Sequence, residues 1–313
     1  MKTFFRLLAL CLALAAGRSF AVDVEVHTTS SKNVALVESE SSFSFEFHAE
    51  GAYFGGGDVV RDKGSGDLHV DDFDGSDLLV RFILTPRTKI GILRLGVQHE
   101  RYSFGFGSNG ALPDVLESSN LILGLDTQLA ESFLIRLELQ PGYYGTDFDD
   151  YGQDTFNMPV VIGGTYIFNS NFQLVFGLGI DALRRYPVLP GGGIRWKFAP
   201  QWTLNAVVPT PRLEYEVNSS FMLFAGADIR STSYRVDQQF GTVRGDTSLN
   251  HAAITYNEIR AGAGLDWKLT SAIKFSAEGG FIPSREFNFH RTEVRYHQDG
   301  AIPYAMFALH AAF

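Results

Sequence analysis

Charged side chains recur at every second residue in several stretches of this chain. Arg136 and Glu138 are two residues apart, as are Glu258 and Arg260, and an apolar side chain stands between the members of each pair. Because side chains two apart lie on the same face of a β-strand, this spacing predicts strands with one charged and one apolar face. The charged face could line a hydrated pore whose charges tune ion selectivity. Alternatively, ion pairs of both signs could fill the interior without useful conductance.

We predict that fourteen charged residues face the lumen of a barrel built from such strands. A charge that faces lipid at mid-bilayer costs about 2–4 kcal/mol in barrels, so the charged faces must point away from lipid. The fourteen are Arg81, Arg94, Asp126, Arg136, Glu138, Arg195, Arg212, Glu214, Asp228, Arg230, Glu258, Arg260, Asp266 and Glu278.

Catalytic chemistry finds little support in the sequence. There is no Gly-x-Ser-x-Gly motif and no histidine pair of the zinc-helix type. His99 with Ser103, or His251 with Ser248, could form the Ser–His pair of an outer-membrane lipid hydrolase, but neither pair lies in a signature motif. We therefore predict that the protein is not an enzyme and that it holds neither a metal nor a cofactor.

Two acidic segments, 71–77 and 147–154, could in principle bind a cation. The spacing of a calcium-binding hand loop fails in the first segment, because Val70 takes the first ligand position and Arg81 the twelfth. We expect solvated loops that bind cations weakly at most.

The elements that would position the charged residues are long strands joined alternately by short turns and longer polar loops. Tight periplasmic turns and longer external loops are typical of outer-membrane barrels, which in bacteria have an even number of strands. The sequence thus predicts an all-β, transmembrane, antiparallel up-and-down barrel of about 14 strands. Twelve strands remain possible if residues 202–217 form a kink rather than a hairpin. The predicted loops are 55–66, 105–116, 145–155, 237–250 and 284–300.

Aromatic residues cluster by strand end, as expected where rings with polar tips lie at membrane interfaces. Six aromatic residues near the short turns predict one girdle. A second girdle is expected at the opposite ends, from tyrosines that include Tyr53, Tyr102 and Tyr256. The six are Trp196, Trp202, Trp267, Phe168, Phe172 and Phe198.

The two ends of the chain carry targeting patterns. Lys2 and Arg6 precede an apolar run too short to span a membrane, followed by small residues before Val22, which predicts a cleaved signal peptide over 1–21. Residues 22–42 are then an N-terminal periplasmic segment and 43–313 the barrel. The final Phe313 resembles the terminal signal of bacterial outer-membrane proteins, which implies recognition by the barrel-assembly machinery.

The charge of the chain excludes some partners. Removing the predicted signal peptide leaves 23 basic and 35 acidic side chains. Such an acidic chain has no basic stripe to release phosphate counterions, so we expect no nucleic-acid partner. The expected partners are outer-membrane lipid, the assembly machinery and small polar solutes, with the oligomeric state left open.

One region adds a more particular resemblance. It is similar to an uncharacterised family of outer-membrane barrels known as a domain of unknown function, and that resemblance implies a barrel without naming a substrate. The matching stretches are 184–190 (RRYPVLP), 193–196 (GIRW) and 208–215 (VPTPRLEY).

Taken together, the patterns favour a passive, porin-like channel for small polar solutes or ions. A non-conducting barrel with a structural or surface-binding role is the alternative, and an outer-membrane lipid-modifying enzyme is a third possibility with less support.

Overall fold

The structure is a computed structural model that describes residues 44–62, 69–106, 110–146, 153–292 and 294–313. The predicted signal peptide (1–21) and periplasmic segment (22–42) lie outside these residues, as does most of the acidic segment 147–154.

The described residues form a closed antiparallel barrel of fourteen strands, which confirms the predicted fold class. The strands are β1 Phe45–Phe54, β2 Asp74–Leu84, β3 Gly91–Gly105, β4 Val115–Ala130, β5 Phe133–Leu139, β6 Val160–Asn169, β7 Phe172–Ile180, β8 Val188–Ala199, β9 Trp202–Asn205, β10 Arg212–Glu216, β11 Phe221–Arg235, β12 Ala253–Lys268, β13 Ile273–His290 and β14 Ile302–Ala312.

The barrel closes because its first and last strands pair. The β1–β14 register runs from Glu46 opposite Ala312 to Phe54 opposite Tyr304. Closure satisfies the backbone donors and acceptors that a sheet edge would leave free, which is a requirement for any sheet in lipid.

The strand count was uncertain at residues 202–217, and the structure decides it. β9 pairs with β10 from Trp202 opposite Tyr215 to Asn205 opposite Arg212, and the chain reverses between them through a cis Val208–Pro209 bond. The segment is therefore a hairpin, and the twelve-strand alternative is wrong.

Two predicted loops at the long-loop end contain strands. β13 continues to His290, pairs with a strand at Val294–Asp299, and that strand pairs with Asp58–Asp62. The predicted loops 284–300 and 55–66 are wrong in this respect. The alternation continues there with Phe287, Phe289 and Tyr296 buried, so these residues follow the strand pattern.

The remaining elements are short. They are the strands His69–Val70, Arg87–Thr88, Gly142–Gly145 and Phe156–Asn157, the α-helix Phe240–Arg244, and the 3₁₀ helices Gln153–Thr155 and Thr247–Leu249. Among the described residues, no helix has the length and apolar character needed to cross a membrane.

The wall of the barrel is uneven in height. β11, β12 and β13 have 15, 16 and 18 residues, whereas β9 and β10 have only 4 and 5. Above the low side of the wall, Gly145 forms a parallel bridge to Arg235 at the end of β11. At the long-loop end the wall is therefore joined through Gly145 and β11 rather than through β9 and β10.

Candidate functional site

The long-loop half of the lumen is filled by a buried aromatic layer, which we define as Tyr102, Phe104, Tyr234, Tyr256 and Phe287. The rings of Tyr102 and Tyr256 have centroids 4.8 Å apart, and those of Phe104 and Phe287 5.3 Å apart. Close packing of large rings excludes water from this half of the interior.

This layer corrects the second predicted girdle. Tyr53 and Tyr186 are exposed, but Tyr102 and Tyr256 are almost completely buried inside the barrel. The sequence correctly predicts the strand end at which Tyr102 and Tyr256 lie. Their side chains, however, point into the barrel and not toward the membrane interface.

Below the aromatic layer, three arginines and four carboxylates form a central ion network. Arg230 donates hydrogen bonds to Asp77 and Asp228, each at 2.7 Å, and also to Glu50. The network continues through two further arginines.

Arg260 donates to Asp77 at 2.7 Å and to Glu258 at 2.5 Å, and Arg285 donates to Glu258 at 2.8 Å. The side chains of Glu258, Arg260 and Arg285 have 0% exposure. These residues span the lumen between β1–β2 and β11–β13.

Strand register explains why the charges meet. Asp228 lies opposite Arg260 and Arg230 lies opposite Glu258 across the β11–β12 pair. Opposite charges therefore face each other across this strand pair, while the hydrogen bonds run along each strand, from Arg230 to Asp228 and from Arg260 to Glu258. The period-two spacing of charges along each strand, set in this register, produces the alternating pattern of the network.

The lumen opens toward the short-turn end into a second group of ion pairs, which we call the vestibule. Arg136 donates to Asp126 at 2.7 Å, Arg94 lies 3.1 Å from Glu46, and the Nε of Arg94 lies 3.6 Å from Glu138. Further contacts in the vestibule are Arg195–Glu214 at 3.3 Å, Arg212–Glu278 at 3.9 Å, Lys274–Asp266 at 3.6 Å and Arg81–Gln98 at 2.8 Å.

Part of the vestibule is more exposed than the network, although Arg94 and Glu278 in it are only 9% and 5% exposed. The side chains of Asp126, Arg136, Arg195 and Arg212 are 20–30% exposed. The structure places the fourteen predicted lumen residues in two groups. Asp228, Arg230, Glu258 and Arg260 belong to the closed network, and the other ten belong to the vestibule.

Three members of the network were not among the predicted lumen residues. The sequence pattern puts Asp77 in the acidic segment 71–77 and Arg285 in the predicted loop 284–300, and it does not include Glu50 among the lumen residues. The alternation of Arg285 with Phe287 and Phe289 was the available signal for a longer strand.

The six predicted girdle residues lie near the short turns. Trp196, Trp202 and Trp267 are between 38% and 46% exposed, and the rings of Phe198 and Trp202 stack with centroids 6.4 Å apart. Phe168 is exposed and Phe172 is half-buried, with 5.4 Å between their ring centroids. Large apolar side chains exposed on one outer surface mark a lipid-facing surface.

Neither of the two Ser–His pairs suggested by the sequence, His99 with Ser103 and His251 with Ser248, is joined by a hydrogen bond in the structure. The Nδ1 of His99 contacts the hydroxyl of Ser119 at 2.8 Å, and Ser248 donates to Asp246 at 2.5 Å. Within the described ranges, no three His, Cys, Asp or Glu side chains are grouped so that they could hold a metal ion.

Comparison with known proteins finds a family and a group of distant folds. The family described as a domain of unknown function (DUF6268) matches residues 92–300. A search of curated proteins found no match.

Among solved structures, the chain is similar to the COG4313 outer membrane channel from Pseudomonas putida F1, with 8% identity, a TM-score of 0.47, and coverage of 87% of this chain and 96% of that one. The chain is also similar to a Pseudomonas aeruginosa FadL homologue, with 11% identity, a TM-score of 0.42, and coverage of 87% of this chain and 90% of that one. A third similar structure is the Pseudomonas putida toluene transporter TodX, with 11% identity, a TM-score of 0.34, and coverage of 87% of this chain and 89% of that one. Identities of this size carry no information on substrate.

Proposed function

The chain belongs to the family described as domain of unknown function DUF6268, and from its barrel we propose that it is an outer-membrane channel for small polar solutes or ions. In the described conformation the channel is closed at mid-barrel by the central ion network and the aromatic layer. The short-turn end faces the periplasm and the long-loop end faces the exterior.

The outer surface supports the membrane placement. Leucines such as Leu121, Leu123 and Leu137 are 40–50% exposed and form an apolar belt above the tryptophan girdle. A band of apolar side chains bordered by aromatic residues is stable against hydrocarbon and unfavourable in water.

The observation that carries the channel proposal is the vestibule. Four of its side chains, which carry both signs of charge, are 20–30% exposed, so water and small ions can enter this part of the lumen from the periplasmic side. A lumen that served only to fill the barrel would gain more stability from apolar side chains, because buried ion pairs recover little of their desolvation cost.

A non-conducting barrel is the second candidate, and the ion network favours it. The side chains of Glu258 and Arg260 at the centre of the network have 0% exposure. On this alternative the network is a permanent structural centre and the external surface performs the function.

Single-channel recording in planar lipid bilayers tests the proposal. The double variant Glu258→Ala, Arg285→Ala shortens one acidic and one basic side chain of the network. It therefore leaves more open space in the lumen without changing the net charge. The channel proposal expects rare brief openings of the parent protein and an open probability at least tenfold higher in the variant.

The matched control is Asp126→Ala, Arg136→Ala, which removes an ion pair from the vestibule, and its open probability should equal that of the parent. If neither the parent nor the Glu258→Ala, Arg285→Ala variant conducts while both remain folded, the non-conducting barrel is the correct description.

A further inference from the structure

Glu100 is a buried carboxylate beside the central ion network. It lies on the inward face of β3, is 8% exposed, and accepts a hydrogen bond at 2.8 Å from the hydroxyl of Tyr102. Tyr102 itself lies directly opposite Asp77 of the network across the β2–β3 pair. Glu100 forms no ion pair with any residue that the structure describes. A buried carboxylate without a cation partner is unfavourable, so its charge requires compensation.

The arginines of the network do not supply this compensation. The Nε, Nη1 and Nη2 atoms of Arg230 each donate a hydrogen bond to a different carboxylate of the network, and the other two arginines likewise donate to its acids. Glu100 brings the carboxylates at the centre to five against three arginines, an excess of two negative charges when all are ionised. Even with His48 protonated, at 3.6 Å from Glu50, one negative charge remains in excess.

Two oxygen atoms without a hydrogen-bond partner lie on the adjacent strand. Ser118 is directly opposite Glu100 across the β3–β4 pair, and Asn120 is the next inward residue of β4. Both residues are more than nine-tenths buried, and neither the Oγ of Ser118 nor the Oδ1 of Asn120 has a partner among the described residues. Since facing side chains on paired strands have Cβ atoms about 4.5–5.5 Å apart, one bound ion can contact these oxygens and the Glu100 carboxylate together.

A third oxygen of this kind is the hydroxyl of Tyr234, which is fully buried and has no partner in the described part of the chain. The ring of Tyr234 lies 6.4 Å from that of Tyr144, and Tyr144 is directly opposite Ser118 on the other side of β4. Buried polar atoms are normally hydrogen-bonded, so several without partners around one uncompensated carboxylate indicate a bound ligand.

The vestibule gives access to this position. Asn120 lies directly opposite Gln98, which is half-buried and accepts a hydrogen bond from Arg81 of the vestibule at 2.8 Å. An ion that enters the lumen from the short-turn end therefore reaches Asn120 before it reaches the closed centre.

We propose that Glu100, Ser118 and Asn120 bind one divalent cation of the Ca²⁺ type between the vestibule and the central ion network. Carboxylate and amide oxygens are ligands that such hard cations prefer, and water completes their coordination. Two positive charges match the excess of two negative charges at the centre. The site has a single carboxylate, so it differs from a metal site built from several acids. The inference depends on the closed lumen and does not require conduction.

The test is equilibrium dialysis of the folded full-length protein in detergent against radioactive Ca²⁺, after EDTA has removed bound metal and with choline chloride as the background salt. We expect one Ca²⁺ per chain, with a Kd at least tenfold lower than the Kd for Na⁺ measured by competition. The midpoint of thermal unfolding should also rise with Ca²⁺ concentration, because a ligand that binds only the folded state stabilises it.

Glu100→Gln should raise the Kd for Ca²⁺ at least tenfold and abolish the Ca²⁺-dependent rise of the thermal midpoint. The variant keeps an oxygen that can accept the Tyr102 hydrogen bond, and it removes the uncompensated charge, so without Ca²⁺ it should unfold no earlier than the parent. Asn120→Leu should also raise the Kd. The matched control is Glu138→Gln, because Glu138 is likewise 8% exposed but already contacts Arg94 and Gln140. Its Kd should stay within twofold of the parent.

An equal loss of affinity in Glu138→Gln would overturn the proposal, because binding would then follow the overall charge of the lumen. Absence of bound Ca²⁺ in the parent, or Na⁺ binding more tightly than Ca²⁺, would overturn it as well. Conductance is not measured, so failure of the channel proposal leaves this result unchanged.

Discussion

At the scale of single residues, neighbouring side chains on one strand lie in different environments, one on the outer belt and the next in the interior. Leu137 is 41% exposed on the belt, while the next residue, Glu138, is buried beside Arg94 and accepts a hydrogen bond from Gln140 at 2.7 Å. The alternation of the strand therefore decides whether a charge meets lipid or an ion partner.

The first prediction tests this assignment with Leu137→Arg. A cation on the belt should lower the free energy of unfolding by about 2–4 kcal/mol, because hydrocarbon does not solvate it. Denaturant titration of protein folded into lipid vesicles measures the change. The control, Glu138→Gln, keeps the shape of the side chain and its hydrogen bond from Gln140, and should cost less. Equal stability of parent and Leu137→Arg would show that residue 137 does not face lipid.

The second prediction concerns the buried pair Glu258–Arg285. Arg285→Gln removes one of the two arginine partners of Glu258 in a site where both side chains have 0% exposure. We expect a loss of about 3–5 kcal/mol, as for other broken buried pairs. The double variant Glu258→Gln, Arg285→Gln should cost less than the sum of the single changes. Strict additivity in this double-mutant cycle would contradict direct coupling.

At the scale of elements, the closing strand decides whether the barrel forms. β14 pairs with β1 on one side and with β13 on the other, and Phe313 follows it on the outer surface. The Phe313 ring stacks on Phe45 with 4.9 Å between centroids, and the two residues exchange backbone hydrogen bonds. The contact between β1 and β14, which closes the barrel, thus ends at an exposed pair of aromatic side chains.

The third prediction compares Phe313→Ser with His310→Ser. Phe313→Ser should reduce the amount of assembled barrel several-fold, because it removes the ring at the seam and the residue that the assembly machinery is expected to recognise. His310 is half-buried near His48 on the opposite face, so its replacement should have a smaller effect. The heat-modifiable fraction on a gel measures assembly, and equal fractions for the two variants would contradict the proposed role.

At the scale of the whole molecule, the barrel combines an apolar outer belt with a charged interior that is closed at its centre. This arrangement is stable only with lipid outside, because the belt has no protein partner among the described residues.

The fourth prediction follows for the protein in the cell. The mature chain should begin near Val22, fractionate with the outer membrane and migrate faster on a gel before heating than after it. Membrane fractionation with N-terminal sequencing measures these properties. Recovery of the mature chain as a soluble periplasmic protein would contradict the membrane placement.

The sequence by itself determined the antiparallel barrel, since alternation and short turns are local properties that each strand carries independently. It also contained the opposite charges at two-residue spacing. Only the tertiary structure decided the fourteen-strand count, the continuation of β13 to His290, and the closed centre. Whether Tyr102 meets Tyr256, or Arg230 meets Asp77, depends on how far opposite walls approach across the lumen. That distance is set by strand heights and register around the whole barrel, which no single segment encodes.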